Sequence, residues 1–132
     1  MEEELIKHET AVLAKEKGFN IWQNNFYHEK EIETFDYNFD GSTPFATKEY
    51  DNENTIYAPT QFLLQKWLRE EHNIHISIRR LTYEGKNEVE YNEFIYLPNK
   101  DEEEDINIGN EFPTYEEALE NALIESLKLI EI

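Results

Sequence analysis

Pro59-Thr60-Gln61-Phe62-Leu63-Leu64-Gln65-Lys66-Trp67-Leu68-Arg69-Glu70-Glu71-His72-Asn73-Ile74-His75-Ile76-Ser77-Ile78 decides the fold class, because its apolar period changes once within it. From Pro59 to about His72, the residues Phe62, Leu63, Leu64, Trp67 and Leu68 form one broad apolar face. Lys66, Arg69, Glu70 and Glu71 lie largely opposite, which is the pattern of an amphipathic helix. Pro59 suits a first turn, where its missing N–H costs nothing, and Asn73 supplies a cap. From Ile74 the period drops to two: Ile74, Ile76 and Ile78 alternate with His75, Ser77 and Arg79, as in a half-buried strand.

Working outward toward the end of the chain, Glu84-Gly85-Lys86-Asn87 reads as a hairpin turn. Val89, Tyr91, Ile95 and Leu97 then share one face of a return strand, with Glu93 interrupting the row and Pro98 ending it. Asp101-Glu102-Glu103-Glu104-Asp105 reads as a charged loop. Thr114 and Glu117 have the spacing of a capping box, in which each side chain satisfies the other's backbone donor. A helix is expected beyond it, with Ala118, Leu119, Ala122, Leu123, Leu127 and Ile130 on its apolar face.

Toward the start of the chain, a helix is expected from about Glu3 to Lys17, with Leu5, Ile6, Ala11, Val12 and Leu13 as its apolar stripe. Lys15 and Lys17 followed by Gly18 form a stop signal: cations in the last turn, then a residue that tolerates a left-handed cap. Phe19, Ile21 and Trp22 read as a short strand, and Ile32–Phe39 as a longer one. Gly41 and Pro44 mark a loop, and Thr55-Ile56-Tyr57 is a further extended piece. The expectation is one acidic α+β domain over residues 1–132, with three helices packed on a small, mostly antiparallel sheet in the rough order α-β-β-α-β-β-α.

Composition narrows the function classes. The chain has 132 residues with 30 Asp+Glu against 12 Lys+Arg, a formal net charge of -18. Low apolar content with high net charge favours disorder, but eight Tyr, eight Phe and two Trp supply the material of a packed core. Residues 87–132 hold 14 acids and 2 bases, whereas residues 59–86 are slightly basic through Lys66, Arg69, Arg79, Arg80 and Lys86. Such acidity disfavours direct contact with nucleic acid, whose affinity rests on Lys and Arg, and with anionic lipid. It favours steered encounter with a basic partner. There are no cysteines, which excludes disulfides, thiol catalysis and Cys-ligated metal and suits a reducing compartment. Met1-Glu2-Glu3-Glu4 lacks the basic start of a signal peptide, and no apolar run reaches the length of a membrane span.

Motifs for catalysis are missing. Ser42, Ser77 and Ser126 lie in neither a nucleophile elbow nor an S-x-x-K pattern. No phosphate-binding glycine loop and no HExxH is present. His8, His28, His72 and His75 do not form a metal motif, and none of the 30 acids is singled out as an acid–base pair. Asp36-Tyr37-Asn38-Phe39-Asp40-Gly41 matches the first half of an EF-hand loop, but its twelfth position is Thr47 rather than a bidentate Glu. Asp36, Asn38 and Asp40 are therefore a weak calcium candidate beside the simpler reading of a turn. No cofactor and no enzymatic activity are expected.

Three stretches resemble small phage- and prophage-encoded proteins of unknown function. They are Tyr57-Ala58-Pro59-Thr60-Gln61-Phe62-Leu63-Leu64-Gln65-Lys66-Trp67-Leu68-Arg69-Glu70 with His72-Asn73-Ile74; Thr114-Tyr115-Glu116-Glu117-Ala118-Leu119-Glu120 with Leu127-Lys128-Leu129-Ile130; and Glu9-Thr10-Ala11 with Leu13-Ala14-Lys15-Glu16-Lys17-Gly18-Phe19. The resemblance implies an accessory protein of a mobile element acting in the cytoplasm of a bacterial host cell, and it brings no catalytic residue.

Charge and resemblance together lead to an expected function. The protein is read as a non-enzymatic binder of a basic host protein, itself nucleic-acid-binding, of the anti-CRISPR or DNA-mimic kind. Its acidic surface would consist of Asp101, Glu102, Glu103, Glu104, Asp105, Glu111, Glu116, Glu117 and Glu120. The alternatives are a small structural protein whose acidity serves solubility, and a weak calcium-binding module.

Overall fold

The computed structural model describes residues 4–21, 23–34, 55–82, 89–98 and 104–131. The fold class is α+β: three helices and two antiparallel three-stranded sheets among the described residues. Two compact units divide the chain, one formed by Leu5–Pro59 and the other by Met1–Glu4 with Thr60–Ile132.

In the unit Leu5–Pro59, helix α1 spans His8–Glu16 and is followed by strands β1 (Asn25–His28), β2 (Glu31–Thr34) and β3 (Ile56–Tyr57), in sheet order β2-β1-β3. The helix starts later than its apolar stripe suggests. Ile6 is fully buried but lies outside α1, because its N–H is committed to the Pro59 carbonyl at 3.0 Å. Gly18 ends the helix as expected, at φ 100, a conformation that glycine adopts without steric cost. Phe19 then turns back, its N–H on the Ala14 carbonyl at 3.0 Å and its ring buried. The expected strand at Phe19 and Ile21 is thus absent: Phe19 supplies the apolar contact that seals a helix C-terminus. Trp22 lies outside the described residues. Tyr27 on β1 donates its hydroxyl to the Ile6 carbonyl at 2.6 Å, and Lys15 donates Nζ to the Thr55 carbonyl at 2.9 Å. Of the strand expected over Ile32–Phe39, residues through Thr34 are β2 and the rest lie outside the described residues.

In the other unit, helix α2 spans Gln61–His72, strands β4 (His75–Thr82), β5 (Val89–Leu97) and β6 (Glu104–Phe112) form a sheet in that order, and helix α3 spans Tyr115–Lys128. Both helices use the caps their sequences provide. Thr60 Oγ1 accepts from the Leu63 N–H at 3.1 Å, and Thr114 Oγ1 from the Glu117 N–H at 3.1 Å, each such cap contributing about 1 kcal/mol. Asn73 takes the left-handed C-cap conformation at φ 53, and the Ile74 N–H closes on the Leu68 carbonyl at 3.0 Å. This places Ile74 at the head of β4 without a loop. Leu64, Leu68, Ile95, Leu119, Leu123 and Leu127 are fully buried and form the centre of the core.

Strand β6 is the main departure from the sequence reading. Glu104 and Asp105, expected in a loop, begin a strand whose backbone pairs Glu104 with Leu97, Asp105 with Tyr96 and Ile106 with Ile95. An edge strand has one neighbour only, and charge along it discourages pairing with other chains. Asp101, Glu102 and Glu103 lie outside the described residues.

Candidate functional site

The acids expected to form one surface divide by position. Glu111 at the end of β6 is exposed, as are Glu116 and Glu117 in the first turn of α3. Carboxylates at the start of a helix are favoured by its unpaired N–H groups and dipole, so these two acids cost the fold nothing where they sit. Glu104 and Asp105 occupy the opposite end of the same edge strand.

Glu120 does not belong to this surface. It is 5% exposed, because it shares the inward face of α3 with Leu123 and Leu127 at spacings of three and seven. Its Oε1 accepts from Gln61 Nε2 at 3.0 Å, and the same amide donates to the Glu116 carbonyl at 2.9 Å. Gln61 is itself buried, so this polar contact ties α2 to α3 from within. Sequence reading missed Gln61 altogether, although its position three residues before Leu64 on the helix was a signal for burial.

The second buried acid is Glu93. It stands in the helix-facing row of the central strand β5, opposite Ile78 of β4, and is 0% exposed. The ladder to β6 is irregular there: Asn92 pairs with Glu111 and Phe94 with Asn107, leaving Glu93 without a register partner on β6. Its N–H is satisfied instead by Asn92 Oδ1 at 2.8 Å, a local side-chain substitute for a ladder bond. Its Oε1 accepts from Asn121 Nδ2 of α3 at 2.5 Å, while Oε2 has no hydrogen-bond partner among the described residues. Burial pushes the Glu93 carboxyl above its usual range, the Asn121 bond opposes this, and nearby Glu125 adds to the rise. Ser126 Oγ is likewise buried without a partner among the described residues.

The other sequence candidates are dispersed. His72 meets Trp67 edge-on at 4.7 Å between ring centroids, whereas His75 Nε2 contacts Asn73 Oδ1 at 2.8 Å. Arg79 lies over the Phe94 ring at 4.8 Å, a cation–π contact. Lys66 and Arg69 are exposed on α2 and Arg80 on β4, while Lys86 lies outside the described residues. So do Asp36, Asn38 and Asp40 of the calcium candidate. Among the described residues no group of three or more His, Asp or Glu is arranged to hold a metal ion, and no helix is long and apolar enough to cross a membrane. Compared with models of protein families, with curated proteins and with solved structures, the chain matches none.

Proposed function

We propose that the protein is a non-enzymatic accessory protein that binds a basic partner in a bacterial cell, presenting acids where that partner would otherwise hold a nucleic-acid backbone. The observation that carries this reading is the exposure of Glu111, Glu116 and Glu117 at the junction of β6 and α3, within a segment holding 14 acids and 2 bases. Rows of carboxylates can occupy the Arg and Lys positions that a protein uses for phosphates, through the same charge-assisted hydrogen bonds. The attraction would speed association and weaken steeply with salt. The bacterial host and its cytoplasm are the setting expected from the phage-like reading of the helical motifs, and they are part of the proposal.

The test is capture from bacterial lysate at low salt on the tagged protein, elution in a salt gradient, and challenge of the complex with duplex DNA and with RNA. The proposal expects a nucleic-acid-binding protein that elutes with salt and is displaced by one of the two. A partner that survives high salt and ignores both nucleic acids would contradict it.

A further inference from the structure

A cavity of about 310 Å³ opens where the ends of four elements meet in the unit that holds α2 and α3. That volume lies at the small end of ligand pockets, which run from about 300 to 1,000 Å³. Its wall is made by His72 and Asn73 at the end of α2, Ile74 before β4, Leu97 at the end of β5, and Leu129, Ile130 and Glu131 after α3. The aliphatic side chains of Ile74, Leu97, Leu129 and Ile130 supply an apolar lining, and Leu129 remains 36% exposed beside the opening.

The permanent charge of the described wall is negative. The C-cap of α2 (Asn73) and the C-cap of α3 (Leu129) both line the cavity, and although the Leu68, Ser126 and Leu127 carbonyls accept N–H bonds there, a helix C-terminus carries partial negative charge. Glu131 adds a carboxylate. Among the described residues of the wall the one that can carry positive charge is His72, which bears it only when protonated. An anion would face two helix C-termini and a carboxylate, and a neutral apolar molecule would leave them unanswered. A positive head with an aliphatic body matches both parts of the wall.

The geometry points to this cavity as a binding site for a small aliphatic cation, a primary ammonium or guanidinium carried on a short alkyl chain. The alkyl chain lies against Ile74, Leu97 and Ile130, and the charged head is held by the Glu131 carboxylate, favoured by the partial negative charge of the two helix ends. This site is independent of the acidic docking surface proposed above, and failure of either leaves the other standing.

The test is methyl-detected NMR on the full chain at about pH 8, where imidazoles are ordinarily neutral. The probes are n-butylammonium and n-butylguanidinium, with n-butanol and butyrate as neutral and anionic controls of similar length. Saturable shifts of the Ile74, Leu97, Leu129 and Ile130 methyls with the two cations, and not with the controls, are the expected result. Glu131→Gln, at an exposed position, should weaken cation binding about two- to fivefold. Shifts of equal size with n-butanol or butyrate, no shift with either cation, or an unchanged affinity in Glu131→Gln would overturn the site as drawn.

Discussion

Four glutamates on or against α3 form two contrasting pairs. Glu116 and Glu117 lie in the first turn, exposed, where the helix end favours them. Glu120 and Glu93 are buried on the opposite face, one held by Gln61 and the other by Asn121. A single helix thus carries acids on two terms. The outer pair is free to meet a partner, and the inner pair joins α3 to α2 and to β5. In a chain with a net charge of -18, the acid count alone does not reveal surface; the side chain's face of the helix does.

The comparison breaks most severely if the buried face of α3 is emptied. Leu123 is fully buried three residues after Glu120 on α3, and Leu123→Ala should cost about 2–5 kcal/mol, read as a loss in urea midpoint by the fluorescence of buried Trp67. Asn121→Leu removes the one hydrogen-bond donor to the Glu93 side chain among the described residues. A loss of about 1–3 kcal/mol is expected, since a buried polar group has lost its partner.

Glu93→Gln sharpens the contrast through pH. The Glu93 carboxyl is raised in the folded chain by burial and by Glu125, so the folded state holds a proton that the unfolded state releases at lower pH. Its contribution is present below the ordinary glutamate range and is lost as pH rises through the raised value. The unfolding free energy of the wild type should therefore fall across that interval. Glu93→Gln should flatten this part of the profile and be the more stable chain at neutral pH; parallel profiles would refute the assignment. The smallest effect belongs to the outer pair. Glu116→Gln with Glu117→Gln should lower stability by only about 0.3–1 kcal/mol per charge, measured at low ionic strength.

Much of this architecture was legible in the sequence. The Pro59–Ile78 stretch carries its own helix, cap and strand, and the caps at Thr60, Asn73 and Thr114 form as their residue types require. Strand β6 was not legible, because Glu104 and Asp105 read as a charge run and an edge strand needs no continuous apolar row to form its backbone ladder. Strand β1 escaped for a related reason: Asn25-Phe26-Tyr27-His28 buries only Phe26 deeply. Glu93 was visible as a break in an apolar row, yet its burial depends on Asn121, 28 residues away, which no local pattern reports. Glu120 could have been recognised from its spacing to Leu123 and Leu127. Glu111, Glu116 and Glu117 are exposed, as a row of surface acids requires, whereas Glu120 was misread because helical phase turns it inward.

The most direct measurement is the lysate capture run side by side with three proteins: the wild type, a Glu111→Lys/Glu116→Lys/Glu117→Lys variant, and Glu93→Gln. The account predicts that the wild type and Glu93→Gln retain the same basic protein and release it at the same salt concentration, while the triple variant, still folded by circular dichroism, retains none. A triple variant that holds the partner to the same salt concentration as the wild type would contradict it.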